Sequence, residues 1–281
     1  MSPYRALAGL TLLLATLAST SAHAQSEPCC QTLYAPRLKL PLRPTGQADQ
    51  VDFPVRVHLD ELAKNFDYTL LNNGGADVRF IDSSGNELKW ELEYLDQGAS
   101  RHSQWWVQAK SVPGAGGEYV YMYMDNPSAV DPGYGSSSVW DGDYKLVMHM
   151  DDANGADADS SANNTLGDNN TGDVGGYLGR ARDFDGGDDY ITTSPDLSTW
   201  MNSVSTLSFW MYSGQTCAYS TWNYCPAIAG YYNNGNGDTA WGRIDNNRRM
   251  RLQVTNGVQV SSTSTVTASS GTSWHWVVIQ Y

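Results

Sequence analysis

The plainest pattern along the chain is strict alternation. Between 51 and 59, Val51, Phe53, Val55, Val57 and Leu59 fall on one side of an extended segment, the period of a half-buried strand. Pro54 points the other way and has no N–H for a ladder, so the strand is expected at an edge or a bulge. Leu38, Leu40 and Leu42 alternate in the same way over 37–43. Further strands are predicted over 78–82, 88–95, 105–110 and 119–124, with Asp82-Ser83-Ser84-Gly85-Asn86 as a turn. The run from Tyr119 through Met124 is apolar or aromatic on both sides, which predicts a central strand between two packed layers. Residues 60–66 read as one or two helical turns with Asp60 as the cap.

Pro, Gly and Ser crowd residues 126–138, and a domain boundary is expected there. Beyond it, strands are predicted over 144–150, 181–184, 190–193, 206–212, 227–232, 239–244, 250–255, 258–263 and 274–281. A polar Asp/Asn/Gly tract at 151–176 reads as loop, and Asn256-Gly257 is a two-residue hairpin signal. Helical periodicity is not sustained anywhere. The expected fold is therefore all-β, with two β-sandwich domains at 37–130 and 144–281 joined by a linker at 131–143. The segment 274–281 is a fresh apolar strand that stops without a turn or polar tail, so the second sandwich is expected to be incomplete at its C-terminus.

Residues 1–24 read as a secretory signal. Arg5 supplies the charge, an apolar stretch follows from Ala6 to Ala18, and Ala22-His23-Ala24 is a small-x-small cleavage site, leaving 25–36 as an N-terminal segment. The apolar stretch is well short of the roughly 20 residues needed to span a bilayer. Export to a periplasmic or extracellular space is the expectation, and that space permits disulfides. Cys217 and Cys225 are expected to close a local loop; for the adjacent Cys29 and Cys30, pairing elsewhere, free thiols and a link to another chain all stay open.

Composition narrows the partners. Among 281 residues there are 30 Asp plus Glu against 17 Lys plus Arg, a net charge of −13, which argues against a phosphate-backbone ligand. The densest basic cluster, Arg248, Arg249 and Arg251, reads as a solvated hairpin tip. At 17% charged and 11% aromatic, the chain is too apolar for a disordered acidic protein.

Several separated motifs in the first domain carry a family likeness: Asn73-Gly74-Gly75-Ala76-Asp77-Val78-Arg79-Phe80, Asp82-Ser83-Ser84-Gly85, Glu91-Leu92-Glu93, Trp106-Val107, Val112-Pro113 and Tyr121-Met122-Tyr123-Met124-Asp125-Asn126-Pro127. They resemble a bacterial domain of unknown function that precedes laminin-G-like modules, with Asp125 where members usually carry glycine. In the second domain, Asp159-Ser160-Ser161, Leu178-Gly179-Arg180-Ala181-Arg182-Asp183-Phe184-Asp185-Gly186, Asp188-Asp189-Tyr190-Ile191, Leu207-Ser208-Phe209-Trp210-Met211 and Trp274-His275-Trp276-Val277 resemble a laminin-G-like, concanavalin-A-like jelly roll. The tandem is similar to the exported part of ExbB/TolQ/MotA-type proton-channel fusions. That likeness implies membrane helices only in a region beyond Tyr281.

Calcium is implied by the laminin-G-like resemblance and suits the oxygen-rich tract, with Asp159 and Asp188 as the expected ligands, although solvated acidic loops give the same composition. Glu91 and Glu93 share one side of a strand at the spacing of paired carboxylates, but two glutamates on a wet face explain them more simply than glycoside chemistry. His58, His102, His149 and His275 show neither metal nor triad spacing, and no catalytic residue is assigned. Trp222, Tyr224, Tyr231 and Trp241 gather around the 217–225 loop and suit stacking on a sugar ring, with core packing as the alternative. The expected role is extracytoplasmic recognition of a glycan or cell-envelope polymer without catalysis. An ectodomain of a proton-channel or biopolymer-transport protein and a glycoside hydrolase are the alternatives.

Overall fold

The computed structural model describes residues 11–12, 34, 37–60, 66–98, 101–151, 157–185, 187–197, 200–201, 204–212, 228–231, 239–244, 249–254, 258–265 and 273–280; at 11–12, 37, 231 and from 239 to 265 the description is of backbone only. The expected helical turn at 60–66, all four cysteines, Trp222 and Tyr224 lie outside the described residues, Asp60, Phe66 and their strand or loop neighbours excepted. The chain divides into two compact units. The first is Ala8–Asp151 with Ala158–Asn163; the second holds Asp157 and the described part of Asn164–Tyr281.

The first unit is a sandwich of two four-stranded sheets. One has the order β1-β3-β7-β6, from β1 (Thr11–Leu12), β3 (Gln50–Asp60), β7 (His102–Val112) and β6 (Trp90–Asp96). The other has the order β2-β8-β4-β5, from β2 (Arg37–Pro41), β8 (Tyr119–Tyr123), β4 (Arg79–Asp82) and β5 (Glu87–Leu88). Of the five residues that alternate along β3, Val55, Val57 and Leu59 are buried and Phe53 packs partly against the core, whereas Val51 is 64% exposed. Val55, Val57 and Leu59 of β3 with Trp105, Val107 and Ala109 of β7 close against Leu38, Leu40, Phe80, Leu88, Val120 and Met122 of the opposite sheet. Phe80 spans the layers, its ring edge-to-face with Trp105 and Trp90 at 6.4 Å. Each large side chain so buried contributes about 1.5–3 kcal/mol. The all-aromatic and apolar strand β8 is central, between β2 and β4. On β3 the side away from β7 is paired only at Arg56 and Val57, by β1, so Pro54 meets no ladder there among the described residues.

The second unit is also built of antiparallel ladders. β9 (Thr165–Asn169) pairs with β12 (Tyr190–Ser194), and β10 (Gly172–Gly175) with β11 (Arg180–Asp183). β13 (Thr206–Met211) pairs with β18 (His275–Gln280). β14 (Ala229–Tyr231), β15 (Thr239–Ile244), β16 (Arg249–Val254) and β17 (Val258–Thr265) follow in order as one sheet. Met201, Met211 and Ile279 form a small core with Leu207, Phe209 and Val277. Arg182 and Asp157 are paired inside this unit by two hydrogen bonds, at 2.9 and 3.1 Å.

Three features depart from the sequence pattern. Residues 144–150 make only a single bridge, Met148 to Asp159, because the backbone N–H of Val147 is taken by the Asp159 carboxylate. The polar tract expected as loop contains β9 and β10, since a ladder needs backbone groups and not apolar side chains. The first unit also extends past the expected 131–143 linker, because Tyr134 packs on Trp90 and Trp140 bonds to Glu91. Among the described residues no helix is long and apolar enough to cross a membrane.

Candidate functional site

The most accessible chemistry lies on one face of the β13–β18 pair. Leu207, Phe209 and Met211 turn one way into the core, and so the intervening residues turn the other way. Trp210 and Trp276 are direct cross-strand partners with ring centroids 5.4 Å apart. Tyr177, from the bend between β10 and β11, stacks on Trp210 at 3.9 Å and 23°. Tyr212 and Trp274 continue the face, 5.5 Å apart. Tyr177 is 51% exposed, Tyr212 49% and Trp276 41%, so this is an aromatic strip open to solvent and not an internal packing layer.

A second cluster lies on the outer face of β6 and β7 and is largely closed. Glu91 and Glu93 share one side by alternation, and the register shift between Leu92 and Tyr94 is a bulge that adds Tyr94 to that side, together with Gln104 and Trp106. Glu91 accepts from Ser160 Oγ at 2.5 Å and from Trp140 Nε1 at 2.7 Å. Glu93 accepts from Trp106 Nε1 at 2.5 Å and from the Gln104 amide. His149 sits between them. Its Nε2 lies 3.3 Å from Glu91 Oε2, a charge contact and not an aligned hydrogen bond, and its Nδ1 lies 3.5 Å from Glu93 Oε2. The ring is flanked by Trp106 and Trp140, with centroids 6.3 and 6.1 Å away. These three side chains are about 10% exposed or less. Burial opposes ionisation of Glu91, but His149, Ser160 and Trp140 outweigh it and hold its pKa below the ordinary value. Burial likewise opposes charge on His149, and Glu91, Glu93 and Asp151 outweigh it, so its pKa is raised.

Few of the expected site residues are among those described with their side chains. Of the four aromatics chosen for sugar stacking, Trp222 and Tyr224 are outside the described residues, and for Tyr231 on β14 and Trp241 on β15 only the backbone is described, paired as neighbours of Thr239 and Ala229. Cys217 and Cys225 are outside the description as well. Asp159 and Asp188 belong to different units. The Asp159 carboxylate is occupied by its own turn, accepting from Val147 N, Ser161 N, Ser161 Oγ and Asn163 N at 2.7–3.1 Å. Asp188 lies with Asp185 and Asp189 on a loop where one carboxylate oxygen from each comes within 4.8 Å of the others. Those hard oxygens are of the kind calcium takes, and water and backbone carbonyls would have to complete six to eight ligands. Glu91 and Glu93 share a face as expected, but the face is covered and not wet.

Sequence reasoning passed over Trp210, Trp276, Tyr177 and His149 as site residues. The first two carried a signal, since Trp210-x-Tyr212 and Trp274-x-Trp276 place aromatics at the strand period of two. His149 carried none, because its partners on β6 lie more than fifty positions away in the chain.

A family model described as a domain of unknown function (DUF2341) matches residues 74–165. This agrees with the resemblance of the first domain to a bacterial domain of unknown function. The matched segment contains Glu91, Glu93, Trp106, Trp140, His149 and Ser160, so the closed cluster lies wholly within it. Comparison with curated proteins and with solved structures returns no significant match.

Proposed function

We propose that this chain is an extracytoplasmic recognition module that binds a carbohydrate or cell-envelope polymer without turning it over. The observation that carries the reading is the strip of Tyr177, Trp210 and Trp276, two of its rings more than 40% exposed. An aromatic face covers the apolar face of a pyranose, and the Tyr hydroxyl and Trp N–H remain available to its hydroxyls. On this reading the second unit is the laminin-G-like module that its motifs resemble, and Asp185, Asp188 and Asp189 hold calcium at its rim. Binding is favoured over hydrolysis by the state of the one carboxylate pair considered for catalysis. A retaining glycosidase needs an acid whose pKa is raised, whereas Glu91 is held ionised and both glutamates are enclosed by donors.

The test is titration of the full chain against a panel of envelope polysaccharides and peptidoglycan fragments, with and without calcium. Binding is expected to fall by about tenfold in Trp276→Ala and in Tyr177→Ala, the loss of one stacked ring. Absence of binding across the panel, or binding untouched by both substitutions, overturns the reading.

A further inference from the structure

We propose that His149 is a pH-sensitive clasp: as an imidazolium it bridges Glu91 and Glu93 and holds its own segment over the outer face of β6 and β7, and as a neutral ring it lets that segment open. The geometry is that of one ring with two anionic neighbours, Glu91 at Nε2 and Glu93 at Nδ1. A neutral imidazole has one N–H and one lone pair. It can therefore donate to one glutamate only, and must turn its lone pair toward the carboxylate oxygen of the other. The imidazolium, with two N–H groups, suits both.

The carboxylates around the ring act in the same sense. Glu91 and Glu93 face it from β6, and Asp151 contributes from its own segment. The neighbours on β7 and in the covering segment, Gln104, Trp106, Trp140 and Ser160, are neutral and already donate to the same two carboxylates. On β3, next in the sheet, Arg56 and His58 are in register with Trp106 and Gln104 on that face. Removing the proton from His149 leaves two carboxylates that share a mostly closed site without their common cation. Carboxylates left unpaired in such a place rise toward water or take up protons. Opening of the segment around His149 is the way to hydrate them, and it uncovers the ring of Trp106.

The experiment follows the His149 ring by NMR in the full chain while amide exchange is read over 144–151 as protection factors across the same pH range. The ring is expected to titrate above its ordinary 6.5. Protection over 144–151 is expected to drop at least tenfold through that same pH, with the amides of β7 unchanged. His149→Gln, which keeps a donor but no titrating proton, is expected to abolish the step. A ring that titrates at or below the ordinary value, or a protection step that persists in His149→Gln, overturns the clasp. Should that variant fail to fold, the unmodified chain decides alone: a protection step at a pH other than that of the ring has the same consequence.

Discussion

The indole Nε1 of Trp140 donates to Glu91 Oε2 at 2.7 Å, tying together positions 49 residues apart. Trp140 is 8% exposed and lies in the expected linker 131–143. The bond makes that stretch part of the first unit's outer layer. Glu91→Ala is expected to destabilise the chain by about 3–5 kcal/mol, because it strands His149, Ser160 and Trp140 without their acceptor. Trp140→Phe, which removes the donor but keeps an aromatic ring, is expected to cost about 1 kcal/mol. In urea denaturation the double variant should lose less than the sum of the two, since each substitution removes the same bond.

The same cluster gives stability a defined pH profile. Glu91 has its pKa depressed in the fold, so its contribution is present above its ordinary 4.5 and is lost as pH falls through the lower folded value. His149 has its pKa raised, so its contribution is present below its ordinary 6.5 and is lost as pH rises through the higher folded value. Both are complete between about 4.5 and 6.5. The difference in urea midpoint between the unmodified chain and Glu91→Gln should be largest in that window and shrink on both sides. A difference that is flat from acid to base would contradict the assignment.

Asp159 and Asp188 are expected to behave oppositely. Asp159→Ala removes the acceptor for three backbone N–H groups and a hydroxyl, and should cost about 2 kcal/mol whether or not calcium is present. Asp188→Asn sits on an exposed loop and should change stability by no more than about 0.5 kcal/mol in the presence of a chelator. Calcium added to the unmodified chain should raise the melting temperature in calorimetry, and Asp188→Asn should abolish that rise.

Gly114 is a packing requirement and not a conformational one. A Cβ there would lie 1.7 Å from the carbonyl oxygen of Gln47, a backbone atom that cannot step aside. Its own carbonyl accepts from Gly46 N and its N–H donates to Asp49, which pins the two loops together. Gly114→Ala is expected to cost about 2–3 kcal/mol by thermal unfolding. At Gly117 the space is open and the cost is the left-handed φ of +96°, so Gly117→Ala should cost about 1–2 kcal/mol.

Much of this architecture was legible from local pattern. The strand predicted at 51–59 is β3, 105–110 falls within β7, 119–124 is the central β8, and 239–244 coincides with β15. These are cases in which side-chain alternation records a buried face directly. The pattern read β9 and β10 as loop, because their polar and glycine residues join a ladder through backbone groups. It also misled at 144–150, where an apolar run is held by Asp159 and by contacts to the sheet without pairing as a strand.

Alternation by itself therefore determined the fold class, most strands of the first unit and the core-facing residues Val55, Val57 and Leu59 of β3, because each depends on neighbours one or two positions apart. The tertiary structure decided what Glu91, His149, Trp210 and Trp276 do. A bulge after Leu92 turns Tyr94 to the side that Glu91 and Glu93 already share, a ring from beyond the linker closes over both carboxylates, and two strands separated by more than sixty residues bring Trp210 and Trp276 into contact. Contacts of that kind depend on how the layers pack, and no local period records them.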